Sequence, residues 1–196
     1  ATGIGSAEAI DTAVVTLSAT NTGATGNISI VEANDVTVAA LKQTGASAGT
    51  VTLVSTAGGI ALNDGAVLSN AGLITLTAAT TITDADAGAT ASITGTGQAT
   101  LSAATGIGSA EAIDTAVVTL SFSNTTNAVQ VINTLVGGLT VSGTNAGPGA
   151  VNITETAGNL TVGASDITTN SGAVTLTASA ANADIISALN SDIVTT

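Results

Sequence analysis

Aromatic rings are almost missing from this chain. Phe122 is the sole aromatic among 196 residues, and Trp, Tyr, Cys, Met and His are absent. One residue is basic, Lys42, against 13 acidic ones, for a formal net charge of -12. Each absence excludes something. Without Cys there are no disulfides to staple the fold, which is compatible with bacterial export and does not require it. Without clustered Lys and Arg no surface can neutralise phosphates, so nucleic acid is excluded as a partner, and an anionic membrane surface is disfavoured for the same reason. Every apolar run is interrupted by Thr, Ser, Asn or Gly before the roughly 18 residues that a transmembrane helix needs. No basic segment precedes an apolar stretch at the N-terminus, so no signal peptide is read there.

The same gaps empty the catalytic inventory. A polysaccharide lyase needs a base and a cation beside its uronate. A glycosidase needs paired carboxylates in a cleft, usually with aromatics to hold the sugar. The chain has 44% hydrophobic residues, nearly all Ala, Val, Ile and Leu. Such side chains fill only a thin core, with backbone never far from its middle. Mean hydropathy of +0.58 with 7% charged residues is too apolar for a disordered chain.

What is present is repetition. Ala1–Ser18, ATGIGSAEAIDTAVVTLS, returns unchanged at Ala104–Ser121. Shorter units of apolar–polar–apolar residues, with Gly-, Asn- and Asp-rich turns between them, fill the rest. Examples are Ile28-Ser29-Ile30, Val51-Thr52-Leu53, Ile60-Ala61-Leu62, Ile74-Thr75-Leu76, Leu139-Thr140-Val141 and Val174-Thr175-Leu176. A period of two predicts very short strands with the aliphatics on one face. Val, Ile and Thr suit a pleated surface, and no three-to-four spacing argues for helices. The units recur every 20–25 residues, the spacing of a solenoid repeat. Ile28, Val51 and Ile74 are expected to form one inward ladder; Val15, Val36, Ile60 and Ile82 form another. Ile4 and Ile10 are expected to point inward. Ile28-Ser29-Ile30 answers to Val129-Gln130-Val131, Asn70 to Asn170, and Ile93 to Ile193. The expectation is an all-β chain, one continuous β-solenoid over 1–196 with long repeats 1–103 and 104–196. Starting on a repeat boundary and stopping just short of another, it reads as a piece of a longer rod.

The stretch GTVTLVSTAGGIALNDGAVLSNAGLITLTA, Gly49–Ala78, with its VTLxxxxGxIxL spacing, resembles the repeats of filamentous-haemagglutinin-type and autotransporter-passenger proteins of bacterial surfaces. That resemblance implies a right-handed parallel β-helix in a long extracellular adhesin or filament. It implies a stiff rod with a Thr-, Ser- and Asn-rich contact surface. The partners it implies are other copies or flanking repeats stacked end to end, lateral bundles of rods, and a cell surface or glycan. The secretion domain and membrane barrel of those families are not visible.

Each candidate site also has a plainer reading. Glu8 and Asp11 recur as Glu111 and Asp114; a duplicated pair reads as a corner feature of the scaffold. Asp84-Ala85-Asp86-Ala87-Gly88 begins like a calcium loop but lacks the distal Glu, and reads as an Asp-rich turn. Thr52, Thr75, Thr119, Thr140, Thr161 and Thr175 are expected outward, the raw material of an ice- or glycan-binding face, yet Ser29, Ala61, Gln130 and Asn152 interrupt them. Asn27, Asn124, Asn152 and Asn159 open glycosylation sequons of the kind composition alone produces. No catalytic residue, cofactor or metal ligand is assigned, and the chain is expected not to be an enzyme.

Overall fold

The computed structural model describes residues 3–45, 48–86 and 88–196. Ala1 and Thr2 of the opening repeat, and Ala87 of the Asp-rich segment, lie outside them. The described chain is a parallel β-solenoid of about eight turns without a helix. Its strands, in chain order, are β1 (Gly3–Ile4), β2 (Ile10–Thr12), β3 (Thr16–Asn21), β4 (Asn27–Glu32), β5 (Val36–Gln43), β6 (Val51–Ser55), β7 (Ile60–Leu62) and β8 (Val67–Ser69). Next come β9 (Ile74–Ala78), β10 (Ile82–Asp84), β11 (Ile93–Ala103), β12 (Ile113–Asn124), β13 (Val129–Asn133) and β14 (Leu139–Asn145). The last are β15 (Val151–Glu155), β16 (Leu160–Thr169), β17 (Val174–Ala178), β18 (Ile185–Ser187) and β19 (Ile193–Thr195).

Alternation of aliphatic and small polar residues determines the cross-section. In β6 and β9 every second residue is buried and the residue between is half-buried. Each inward side chain then stacks on its counterpart one coil away. One ladder runs Ile10–Ile30–Leu53–Leu76–Leu101–Phe122–Gly143–Ile167–Ile193. A second runs Ile4–Ile28–Val51–Ile74–Ala99–Leu120–Val141. A third joins Val36, Ile60, Ile82, Ile107, Val129, Val151 and Val174. Fully burying one such side chain stabilises by about 1.5–3 kcal/mol. The single aromatic fits because its neighbour is glycine: a Cβ on Gly143 would come within 2.6 Å of the Phe122 ring.

Two stacks of strands face each other across this core. The first holds β1 and β2, β4, β6, β9, the second half of β11, the second half of β12, β14, β16, and β18 with β19. The other holds β3, β5, β7 with β8, β10 with the first half of β11, the first half of β12, β13, β15 and β17. The opening repeat therefore changes sides. Ile4 lies in the first stack beneath Ile28, whereas its copy Ile107 lies in the second, between Ile82 and Val129. The long repeat advances by a half-integral number of coils: from Ile4 through Ile28, Val51 and Ile74 to Ala99 on one side, then half a turn to Ile107 on the other. Every pair of equivalent strands obeys the same exchange, β4 with β13, β5 with β14, β6 with β15.

Two expectations need correction, and a third needs a qualification. Val15 is 82% exposed and stands at a bend before β3; only its carbonyl joins the ladder, accepting from the Thr37 N–H at 2.9 Å. In the second copy Val117, not Val118, is the buried member of the pair, so the second valine faces outward in both, here within β12. Ile10 keeps its expected place in the inward ladder beneath Ile30 but is 44% exposed, whereas the identical Ile113 is fully buried; the described residues place a coil below Ile113 and none below Ile10. Nor are all strands very short: β11 and β12 run through corners, β11 with an irregular step between Gly95 and Gln98.

Candidate functional site

The repeated carboxylates sit on a loop built by two glycines. Gly5 and Gly108 have φ of 64° and 62°, and a Cβ on either would meet a carbonyl of the next coil, Ser29 O at 2.2 Å or Gln130 O at 2.3 Å. The loop therefore leaves and rejoins the strand line while pressed against the coil above. Glu8 and Asp11 are exposed, and Glu111 is exposed, but Asp114 is buried. Burial, then the neighbouring carboxylates of Asp84, Asp64 and Glu111, push the Asp114 carboxyl above its ordinary value. The duplicated pair thus has two different environments.

Asp84 and Asp86 act within the backbone. Asp84 accepts from the Asp86 N–H at 3.1 Å and from the Ser92 hydroxyl at 2.8 Å; Asp86 accepts from the Asp64 N–H at 2.8 Å. These are turn-closing bonds of the kind short acidic side chains make. Among the described residues no group of three acidic, His or Cys side chains could hold a metal ion. A shallow depression beside this corner, lined by Glu111, Asp114, Ile132 and Thr134, has a volume of about 460 Å³.

The outward hydroxyls are more continuous than their spacing in the sequence suggests. Ser29, Thr52, Thr75, Thr100, Ser121 and Ser142 stand in register on the first stack. Beside them run Thr77, Ser102, Ser123, Thr144 and Thr168. Thr119, Thr140 and Thr161 form a third, shorter row. Thr175 belongs to the opposite stack, over Asn152 and Gln130. The structure thus brings Thr52 and Thr75 together, and Thr119, Thr140 and Thr161 together, and leaves Thr175 apart. The breaks at Ala61, Gln130 and Asn152 fall on the other side. The Gln98 amide donates to the hydroxyls of Thr100 and Ser121 at 3.3 and 3.0 Å. Of the sequon residues, Asn124 is buried, its amide donating to Asn145 at 3.0 Å, and Asn27 and Asn159 accept backbone N–H groups from the next coil.

Two carboxylates escaped the sequence reading. Glu32 and Glu155 are fully buried at corners. Glu32 accepts from the Thr12 hydroxyl at 2.6 Å and from the N–H groups of Val14, Ala33 and Asn34. Burial alone would raise its pKa, but these donors together hold it below the ordinary value. In the second copy Asn133 takes the same place, accepting from Thr115 and Val117 and donating to Glu155 at 2.6 Å. The sequence signal was an acidic residue closing an apolar strand just before a turn, at Glu32-Ala33-Asn34 and Glu155-Thr156-Ala157.

No family model, curated protein or solved structure matches the chain. Among the described residues no helix is long and apolar enough to cross a membrane. What the arrangement offers chemically is a hydrated hydroxyl surface on a continuous scaffold, and acidic corners engaged in holding turns.

Proposed function

We propose that this chain is a load-bearing segment of a long extracellular bacterial surface protein or filament, a stiff rod whose outward Thr, Ser and Asn residues form its contact surface, and that it is not an enzyme. One observation carries this reading: the parallel ladders continue from coil to coil through the whole described chain, and the corner carboxylates of Glu32, Asp84, Asp86 and Glu155 are spent on turns. Continuous backbone pairing makes a rod resistant to bending and to proteases. The high negative charge keeps rods from clumping. The filamentous-haemagglutinin-type resemblance of Gly49–Ala78 supports the cell-surface setting. Antibody labelling of intact producing cells tests that setting. Labelling without permeabilisation is expected; labelling only after the cells are permeabilised would overturn the assignment.

A second reading has its own observation. The two adjacent hydroxyl rows at Thr75/Thr77, Thr100/Ser102 and Ser121/Ser123 repeat at the strand spacing of about 4.8 Å, a regular array able to order water or meet a glycan. Thermal hysteresis of a solution of the protein tests the ice-binding form. A freezing point separated from the melting point supports it, and no separation at millimolar concentration removes it.

A further inference from the structure

One carboxylate in the middle of the chain closes no turn. Asp114 stands on the outward face of the second stack, between the inward residues Ile113 and Thr115, yet it is only 6% exposed. Its backbone is engaged: the N–H donates to Asp84 at 3.5 Å and the carbonyl accepts from the Ser92 N–H at 2.9 Å. Its carboxylate accepts from no donor among the described residues. It opens instead into the depression of about 460 Å³, between Ala89 in the coil below, Glu111 and Ala112 in its own coil, and Ile132 and Thr134 in the coil above.

Every charge that bears on this carboxylate has its own sign. Burial, then Asp84, Asp64 and Glu111, push its carboxyl above the ordinary value. Asp84 is tied to the Ser92 hydroxyl, and Asp64 lies against Gly88, where a Cβ would come within 2.7 Å of its carboxylate. The chain's one cation, Lys42, is half-buried in β5. By register through Leu68 and Thr94 it lies three strand spacings, about 14 Å, below Ala116. A buried carboxylate without donor or counter-charge is costly, and the depression is the side from which a counter-charge can reach it.

We propose that this depression receives the guanidinium of an arginine side chain presented by a partner protein, with Asp114 and Glu111 as its carboxylate acceptors. The site lies on the stack opposite the two hydroxyl rows, so it is a contact separate from them and independent of where the rod is displayed. The shape selects a long organic cation. The space exceeds what a bare ion fills, and among the described residues no three acidic side chains are placed to hold a metal. Ala89, Ala112 and Ile132 offer an apolar wall for the methylene stem of the incoming side chain. A guanidinium is always charged, is more weakly hydrated than an ammonium, and matches carboxylates with a planar fork of donors. The sequence contains no arginine, its one basic residue being Lys42, so a second copy of it cannot supply the group. A partner that does would meet a chain of net charge -12, and charge complementarity of this kind favours its encounter.

Titration of the isotopically labelled chain with N-acetyl-arginine amide, followed by its backbone amide resonances, tests the site. Saturable shifts are expected at Ala89, Glu111, Asp114 and Ile132. N-acetyl-citrulline amide, which has the same shape without the charge, should leave them unmoved. Asp114→Asn should weaken binding by about tenfold, the scale of a lost hydrogen bond to a charged group, while resonances outside the depression stay in place and show the fold intact. Asp35→Asn removes the same charge at the corner before β5, keeps an acceptor for the Gly59 N–H, and should leave binding unchanged. Equal losses in the two variants would reduce the effect to diffuse attraction by an acidic chain and overturn the site. The absence of saturable shifts, or equal shifts with the citrulline probe, would overturn it as well. Saturation of the same amides by calcium chloride but not by the arginine probe would overturn it in favour of a metal. None of these results bears on the rod reading, which rests on the ladders.

Discussion

At the scale of single residues, the corners carry the clearest electrostatics. Glu32 is buried, and four donors hold its pKa below the ordinary value. A carboxyl with a depressed folded pKa contributes stability that is present above its unfolded value, near 4.5, and lost as pH falls through the folded one. Glu32→Gln should therefore cost about 2 kcal/mol at neutral pH, the worth of a hydrogen bond to a charged group. The gap to the parent protein should close in acid, which urea unfolding at several pH values measures. Asp114 has the opposite sign. Its raised folded pKa means that ionisation opposes folding as pH rises from about its ordinary 3.8 through the raised value. Asp114→Asn should stabilise at pH 7 by about 1 kcal/mol, the scale of a poorly compensated buried polar group, and should lose that advantage in acid. Gly108→Ala should destabilise by about 1–3 kcal/mol, since it forces a side chain into left-handed backbone against the Gln130 carbonyl.

At the scale of elements, the rungs read directly from the alternation Val-Thr-Leu or Ile-Thr-Leu. Ile28, Val51 and Ile74 stack as their spacing predicts, because an inward aliphatic and an outward Thr leave a short strand only one orientation. Leu76→Ala should cost about 2–5 kcal/mol, as buried Leu truncations do, and should destabilise β6 and the second half of β11 along with β9. Hydrogen exchange of those three strands reads this out. A loss of protection confined to β9 would show that the coils are not coupled. Other features were not legible. Val15 and Ile10 satisfy the alternation, but a bend turns one outward, and the other is exposed because no coil lies beneath it among the described residues. The hydroxyl rows looked broken because chain order interleaves two stacks; only register shows that Thr100, Ser121 and Ser142 continue the row of Thr52 and Thr75. The burial of Glu32 and Glu155 depended on donors some twenty residues away, at Thr12 and Asn133, which no local pattern reveals.

At the scale of the whole molecule, the long repeat and the coil are out of step. Because the repeat spans a half-integral number of coils, its two copies lie on opposite sides of the rod, and the acidic loops Gly5–Ala9 and Gly108–Ala112 face away from each other. A rod built from further repeats would display this loop alternately left and right. Duplication of the sequence therefore did not reproduce one surface twice, which is also why Asp11 and Asp114 have different surroundings. The central claim beneath all of this is that coils stack in register, one strand spacing apart. Spin labels on the outward row test it most directly, with one label at Ser29 and the other at Ser121 or at Ser142. Four and five strand spacings predict separations of about 19 and 24 Å, measured by pulsed electron–electron resonance. The account predicts an increment of about one strand spacing between the two pairs. Equal separations, or a shorter one for Ser142 than for Ser121, would contradict it.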